Sequence, residues 1–204
     1  MSDVFDPRLF GSVLLTLVVI MDPLGNIPLF LGLTAGRTNS KRRRLAWQAV
    51  LVSLLVITLF ALVGQQLLDY LGIGIPALQG AGGLLLLLVA LELLIDKQED
   101  PSEVDNVNVA LVPLGTPLLA GPGAIVATIV FVKQSEGVAD RTAIAAGIVA
   151  VHFLVFLSLF FSVSITRVIR EAGIVLLTRI AGLLLSAIAV QLIANSVMGF
   201  IDAA

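Results

Sequence analysis

Long apolar runs separated by short polar turns organise this chain, and two of the runs are broken near their middles. Six runs stand out, at 9–33, 45–68, 77–95, 109–132, 141–166 and 174–201. Most reach the ~20 apolar residues that carry a helix across a bilayer. Between them lie a basic loop (Arg37, Lys41, Arg42, Arg43, Arg44), a turn over 69–75, an acidic polar loop over 96–108, a polar turn over 133–140 and a basic turn over 167–173. The pattern predicts an all-α membrane protein of six transmembrane helices, the first and fourth of them broken.

The first break is Met21-Asp22-Pro23-Leu24-Gly25-Asn26-Ile27-Pro28. Proline removes a helix donor and clashes with the preceding turn. The residue before it leaves the α region, so one half-helix ends at Met21 or Asp22. Asn26 is placed to cap a second half-helix, with Pro28 in its first turn. The start of that half-helix is expected to present free N–H groups and partial positive charge. The second break carries Pro113, Gly115-Thr116-Pro117 and Gly121-Pro122-Gly123. Thr116 suits a cap with Pro117 after it, and the glycines permit close approach of backbone to a ligand. In lipid, such breaks survive only against protein or a water-filled cavity.

Composition agrees with a membrane protein. Hydrophobic residues make up 58% of the chain, charged residues 13%, and mean hydropathy is +1.08. A soluble domain averages about 45–50% apolar and about 25% charged residues. In 204 residues there is no room for a sizeable soluble domain beside six spans. Cysteine is absent and there is one histidine, so thiol chemistry is excluded and no zinc site is expected. No cofactor and no nucleic-acid partner is expected. The N-terminus (Asp3, Asp6, Arg8) lacks the basic region of a cleaved signal peptide.

The two halves match without gaps at an offset of 99 residues. Pro23 falls on Pro122, Arg42 on Arg141, Ala46 on Ala145, Gly74-Ile75 on Gly173-Ile174, Gly83 on Gly182 and Ala90 on Ala189. The expected organisation is a three-helix repeat over 1–95, a polar cytoplasmic loop over 96–108 and a second repeat over 109–204. Three spans per repeat is an odd number, so the repeats must be inverted. Inverted repeats with paired broken helices point to a transporter with its site near the bilayer midplane. Nine of the twelve Lys/Arg fall on the side of the first loop and the 96–108 loop. Basic loops stay inside, which places both termini outside.

Single residues carry two readings each. Asp22 is the one acid deep in a run, serving either as a cap before Pro23 or as a ligand or proton site. His152 lies mid-run, matched to Ser53 by the offset. It is either a proton relay or a neutral histidine bonded to a neighbouring helix. Asp22 and His152 are thus the two candidates for proton coupling. Glu92, Asp96, Gln191 and Asn195 sit near run ends, where they reach water or headgroups. Ala77, Ala81, Gly80, Gly83, Gly182 and Ser186 have the spacing of close helix packing.

Both breaks also carry a resemblance. Met21–Pro28 followed by a basic loop, and Pro117-Leu118-Leu119-Ala120-Gly121-Pro122-Gly123-Ala124-Ile125, resemble the two signatures of the MarC family of bacterial inner-membrane proteins. The resemblance extends over the whole chain. It implies an architecture like that of LysE-type exporters. It also implies, from the SnatA-like members, movement of small neutral amino acids such as glycine and alanine; other members carry names linked to multiple antibiotic resistance. By motif, the implied substrate-binding residues are Asp22, Pro23, Gly25, Asn26 and Pro28 in the first break. In the second they are Thr116, Pro117, Gly121, Pro122 and Gly123. The function expected is secondary transport by alternating access in the inner membrane, among membrane lipids and with a small-molecule substrate. Export of drugs or other metabolites, a passive channel, an intramembrane enzyme and an assembly factor are the rival readings. No phosphate-loop motif is present for a pump, and no His-Glu-x-x-His motif or catalytic cysteine for an enzyme.

Overall fold

The computed structural model describes residues 5–95 and 119–202, and every regular element among them is a helix. The order is α1 (Pro7–Met21), α2 (Asn26–Leu33), α3 (Asn39–Leu71), α4 (Ile75–Ile95), α5 (Pro122–Lys133), α6 (Val138–Phe160) and α7 (Ser162–Asp202). Four segments are long and apolar enough to cross a bilayer: α3, α4, α6 and the Ala172–Asp202 part of α7. A fifth span results if α1 and α2, bent by 48° at the break, cross together. α5 has 12 residues, about 18 Å of helix and roughly half the ~30 Å hydrocarbon layer. The rest of the 109–132 run, to residue 118, lies outside the described residues, as do Thr116 and Pro117.

Local chemistry fixes the helix ends. Asp6 opens α1: its Oδ1 accepts from the Arg8 and Leu9 amides at 2.8 and 3.1 Å, with Pro7 in the first turn. Thr38 opens α3, and Gly72 closes it in the left-handed region (φ 67°). The Ile73 amide then donates to the Leu68 carbonyl at 2.9 Å. The 141–166 run, expected as one span, does not stay helical throughout. α6 stops at Phe160, and a new helix starts at Ser162. Phe161 leaves helical geometry (φ −97°, ψ 12°) while its carbonyl accepts from the Ser164 and Ile165 amides, so the chain turns without glycine or proline. α7 is itself kinked at Arg170 (φ 61°, ψ 166°), just before the sixth apolar run.

α6 runs antiparallel to α3. Arg43, at the start of α3, lies over the Phe160 ring at the end of α6 at 4.5 Å, and Ser53 meets His152 between their middles. α1 lays its stripe of Val13, Leu17 and Met21 into the same core, at the helical spacing that keeps one face buried. Phe30 of α2, Ala49 and Ile57 of α3, Ala124 of α5 and Val151 and Val155 of α6 join that core. Leu62 and Leu183, by contrast, are 68% and 63% exposed, as befits side chains that face lipid.

α4 and α7 form the closest pair, also antiparallel. A Cβ on Gly83 would stand 2.8 Å from the Ala189 carbonyl oxygen, and one on Gly182 would stand 3.3 Å from the Ala90 carbonyl oxygen. Gly80 is packed against Ser196, and Gly199 against Pro76. Small residues let the two backbones approach where apolar lipid gives helices no other reason to associate. The Ser186 hydroxyl donates to the Leu183 carbonyl of its own helix at 2.7 Å. Gly83→Ala should therefore cost about 1–3 kcal/mol, since backbone rather than a movable side chain blocks the methyl. Gly11→Ala, with nothing within 4 Å of the new methyl, should be neutral or slightly stabilising. Unfolding of the two variants in the same detergent checks the contrast; equal stabilities would refute the close backbone contact.

Candidate functional site

The first break is a turn tied to itself. Asp22 adopts the left-handed conformation (φ 36°, ψ 72°), an arrangement aspartate and asparagine accept more readily than most residues. Its amide still donates to the Val18 carbonyl at 3.0 Å, closing α1. Its Oδ1 accepts from the Gly25 amide at 3.0 Å. The Asn26 amide donates to the Asp22 carbonyl at 3.2 Å, and the Ile27 amide to the Leu24 carbonyl at 3.1 Å. Pro28 has no amide to satisfy.

Two expectations are corrected here. Asn26 is not the cap of the second half-helix; Gly25 occupies that position and Asn26 is the first helical residue. The Asn26 side chain turns back instead, donating from Nδ2 to the Met21 carbonyl at 2.6 Å. This satisfies an acceptor that the broken helix would otherwise leave open. The start of α2 also lacks the free donors expected of it, because carbonyls of the turn and the Asp22 carboxylate take them. The other end of α2 is pinned to α3 by Arg42, which donates to Thr34 Oγ1 at 3.1 Å and to Asn39 Oδ1 at 3.3 Å.

What the turn leaves over is one carboxylate oxygen. Asp22 Oδ2 is buried and has no hydrogen-bond partner among the described residues. It lies against Gly25, where a methyl would collide with it, and a Gly25 Cβ would be 3.0 Å from Thr178 Oγ1 on α7. Gly25 has ordinary helical backbone (φ −65°, ψ −26°), so this close approach, not a positive φ, calls for glycine. Thr178 was not singled out from the sequence. Its only signal there is the offset, which matches it to Gln79 on α4, itself buried.

The second break behaves differently. Gly121 is the N-cap of α5 and Pro122 its first residue, and no side chain caps the helix. The Ile125 amide returns to the Gly121 carbonyl at 3.2 Å. The Gly123 and Ala124 amides have no acceptor among the described residues, and both residues are buried. Gly123 is packed on Leu86 of α4, where a side chain would collide. The donor-rich half-helix end thus belongs to the second break rather than the first. The breaks pack crosswise, the first against α7 and the second against α4. Met21, Leu119, Ala120 and Ala124, which flank them, belong to one buried cluster.

His152 is placed apart from this arrangement, between α6 and α3. Its Nδ1 faces the Ile148 carbonyl at 2.7 Å, and a carbonyl only accepts, so Nδ1 carries the proton. Nε2 is then the acceptor, and the Ser53 hydroxyl donates to it at 3.1 Å. Both ring nitrogens are satisfied in a neutral imidazole. Glu92 is exposed, and Gln191 donates to Asn195 one turn along its own helix at 2.8 Å. Asp96 lies outside the described residues.

Comparison of the sequence with known proteins places it in a family. The profile of the MarC family integral membrane proteins matches residues 8–201. The chain belongs to the MarC family. It is 36% identical to the UPF0056 membrane protein MJ1677 of Methanocaldococcus jannaschii over 88% of this chain and 91% of that one. It is 31% identical to a UPF0056 membrane protein of Archaeoglobus fulgidus over 90% of each chain. It is 29% identical to the UPF0056 membrane protein YhcE of Escherichia coli over 96% of this chain and 94% of that one. No solved structure matches. The MarC-family chain is a multi-pass integral membrane protein, and both Gly/Pro-containing breaks of the sequence fall inside the matched region.

Two substitutions test the site as built. Asp22→Asn keeps an Oδ1 acceptor and a residue tolerant of the left-handed turn, so stability should change by only a few tenths of a kcal/mol. Asp22→Leu loses both and should cost about 2–3 kcal/mol. Ser53→Ala leaves His152 Nε2 buried and unpaired, at about 1–3 kcal/mol. Unfolding in detergent measures the stabilities, and nitrogen-15 NMR of the one histidine should report the Nδ1–H form. A doubly protonated ring or the Nε2–H form at neutral pH would refute the assignment.

Proposed function

We propose that this MarC-family protein is a secondary transporter of small neutral amino acids, working by alternating access with the substrate between the two breaks near the bilayer midplane. The observation that carries this reading is the pairing of two buried, complementary features in one core. Among the described residues, α5 begins with two amides that have no acceptor, and Asp22 offers a carboxylate oxygen with no partner. A zwitterion has one group for each: its carboxylate for the helix start, its ammonium for Asp22. Gly25, Gly121 and Gly123 leave little side-chain volume, which suits glycine, alanine or serine. With no lysine or arginine in either break, the second charge of an acidic amino acid would go unpaired, at a cost of several kcal/mol.

We further propose six spans arranged as two inverted three-helix repeats, with both termini outside an inner membrane. Several contacts support the inversion. α3 and α6, which match at the 99-residue offset, start at residues that also match, Asn39 and Val138, yet run antiparallel. Ser53 and His152 are matched residues and touch each other, as residues beside a two-fold axis would. Gly83 packs on the Ala189 carbonyl while Gly182 packs on the Ala90 carbonyl, the reciprocal contact that a two-fold axis requires. Inverted repeats with discontinuous helices are the architecture in which rocking of one part against the other exposes a central site alternately.

For proton coupling we favour Asp22 over His152, because both nitrogens of His152 are engaged and Asp22 Oδ2 is not. The test is counterflow in proteoliposomes. Labelled alanine should be taken up, competed by glycine and not by glutamate. Asp22→Asn should retain counterflow while losing pH-driven accumulation. Equal competition by all three amino acids, or export of a large apolar drug without alanine uptake, would overturn the assignment. An unchanged pH profile in Asp22→Asn would remove Asp22 as the proton site.

A further inference from the structure

The end of the bundle opposite the Arg43–Phe160 contact holds a cavity of about 660 Å³ between α3, the end of α5 and α6. None of the proposed transport residues lines it. Its walls change character along the helices. Thr58, Ala61, Ile148 and Val149 lie toward the middle of the bundle, and Gln65, Lys133, Ser135 and Arg141 lie at the end beside the 134–137 turn. Leu62 and Val149, on its two long walls, are 68% and 59% exposed, so the cavity is open toward hydrocarbon along its side.

The polar end is cationic and under-used. The Arg141 guanidinium has no hydrogen-bond or ion-pair partner among the described residues. Its sequence match, Arg42, is held by Thr34 and Asn39. The residues matching those two partners are Lys133 and Val138, and neither side chain can accept a hydrogen bond. A second cation therefore stands where the first half has an acceptor. Of the acids nearby, Asp69 forms a long surface ion pair with Lys133 and Asp140 is engaged by a backbone amide. Asp69 Oδ1 is 4.0 Å from Lys133 Nζ at a surface position. Asp140 Oδ2 accepts from the Glu136 amide at 2.9 Å, and Glu136 is exposed on the turn. No carboxylate lines the cavity itself.

We propose that this cavity is a binding site for an anionic phospholipid of the adjoining leaflet. Arg141 and Lys133 would hold the phosphodiester, with Gln65 and Ser135 as further donors, and an acyl chain would lie along Leu62, Ile148 and Val149. Cations at the end of a span, above an apolar wall open to the bilayer, match the two parts of such a lipid in order. A zwitterionic headgroup would bring its own cation against Lys133 and Arg141. The site is independent of the transport reading, because its readout is lipid binding alone.

The test uses the delipidated full-length protein in neutral detergent, with phosphatidylglycerol, phosphatidylcholine or glycerol phosphate added back. Native mass spectrometry counts bound lipid, and thermal unfolding reads stabilisation. Phosphatidylglycerol should be retained and should raise the melting temperature by about 5 °C, with phosphatidylcholine far weaker. Removing each charge, in Lys133→Gln and in Arg141→Gln, should weaken retention roughly fivefold. Arg8→Gln, a charge expected on the same side but away from the cavity, should change nothing. Ala145→Trp fills the apolar part with both charges intact and should also abolish retention, which keeps the test decisive if the charge variants fold poorly. Retention unchanged in both the charge variants and Ala145→Trp would overturn the proposal. So would stabilisation by glycerol phosphate equal to that by the lipid, which would mark a free-anion site. A wild-type dimer that the charge variants dissolve, with no lipid bound, would mark a contact between copies instead.

Discussion

Inside a bilayer, a backbone amide or carbonyl that leaves a helix has no water to bond, and this constraint shapes both broken segments. The first break meets it from within. The Asp22 carboxylate, the Asp22 and Leu24 carbonyls and the Asn26 side chain satisfy the groups that the prolines set free. The second break has Gly121 and Ile125 where the first has Asp22 and Asn26, and no side chain among the described residues caps α5. The two breaks are therefore unlike in chemistry although alike in position. Among the described residues, one keeps a spare acceptor and the other keeps spare donors.

Helix packing then decides where these groups stand. Glycines at 83 and 182 bring α4 and α7 backbone to backbone, and each break is laid against one of that pair. Gly25 sits under Thr178 of α7 and Gly123 under Leu86 of α4. Any change in the α4–α7 contact would consequently be felt at both breaks. The Ser53–His152 bond holds α3 and α6 together elsewhere in the core, with a neutral imidazole fully occupied by its two partners. A closed pair of this kind fixes a helix crossing.

Much of this was legible along the chain. Apolar runs set the helices, because lipid accepts little else, and Pro23 and Pro122 set the breaks, because proline cannot continue a helix from the preceding turn. The matched register at 99 residues sets Ser53 opposite His152. Competition among several bonding choices was not legible. Asn26 could cap α2 or bond back to Met21; it does the latter, and Gly25, whose amide the Asp22 carboxylate accepts, holds the cap position. The stop at Phe161 carried no glycine or proline to announce it.

The sequence by itself determined a multi-pass helical membrane protein, its two breaks and the family it belongs to. Those follow from composition, run length and motif, which are properties of neighbouring residues. Only the tertiary structure decided that Thr178 faces the first break, that Asp22 retains an unpartnered oxygen, and that Lys133 and Arg141 share a cavity with Gln65. The first and the last of these join residues on different helices. Their meeting depends on how closely the helices pack and at what register, which the one-dimensional pattern of apolar and polar positions does not encode.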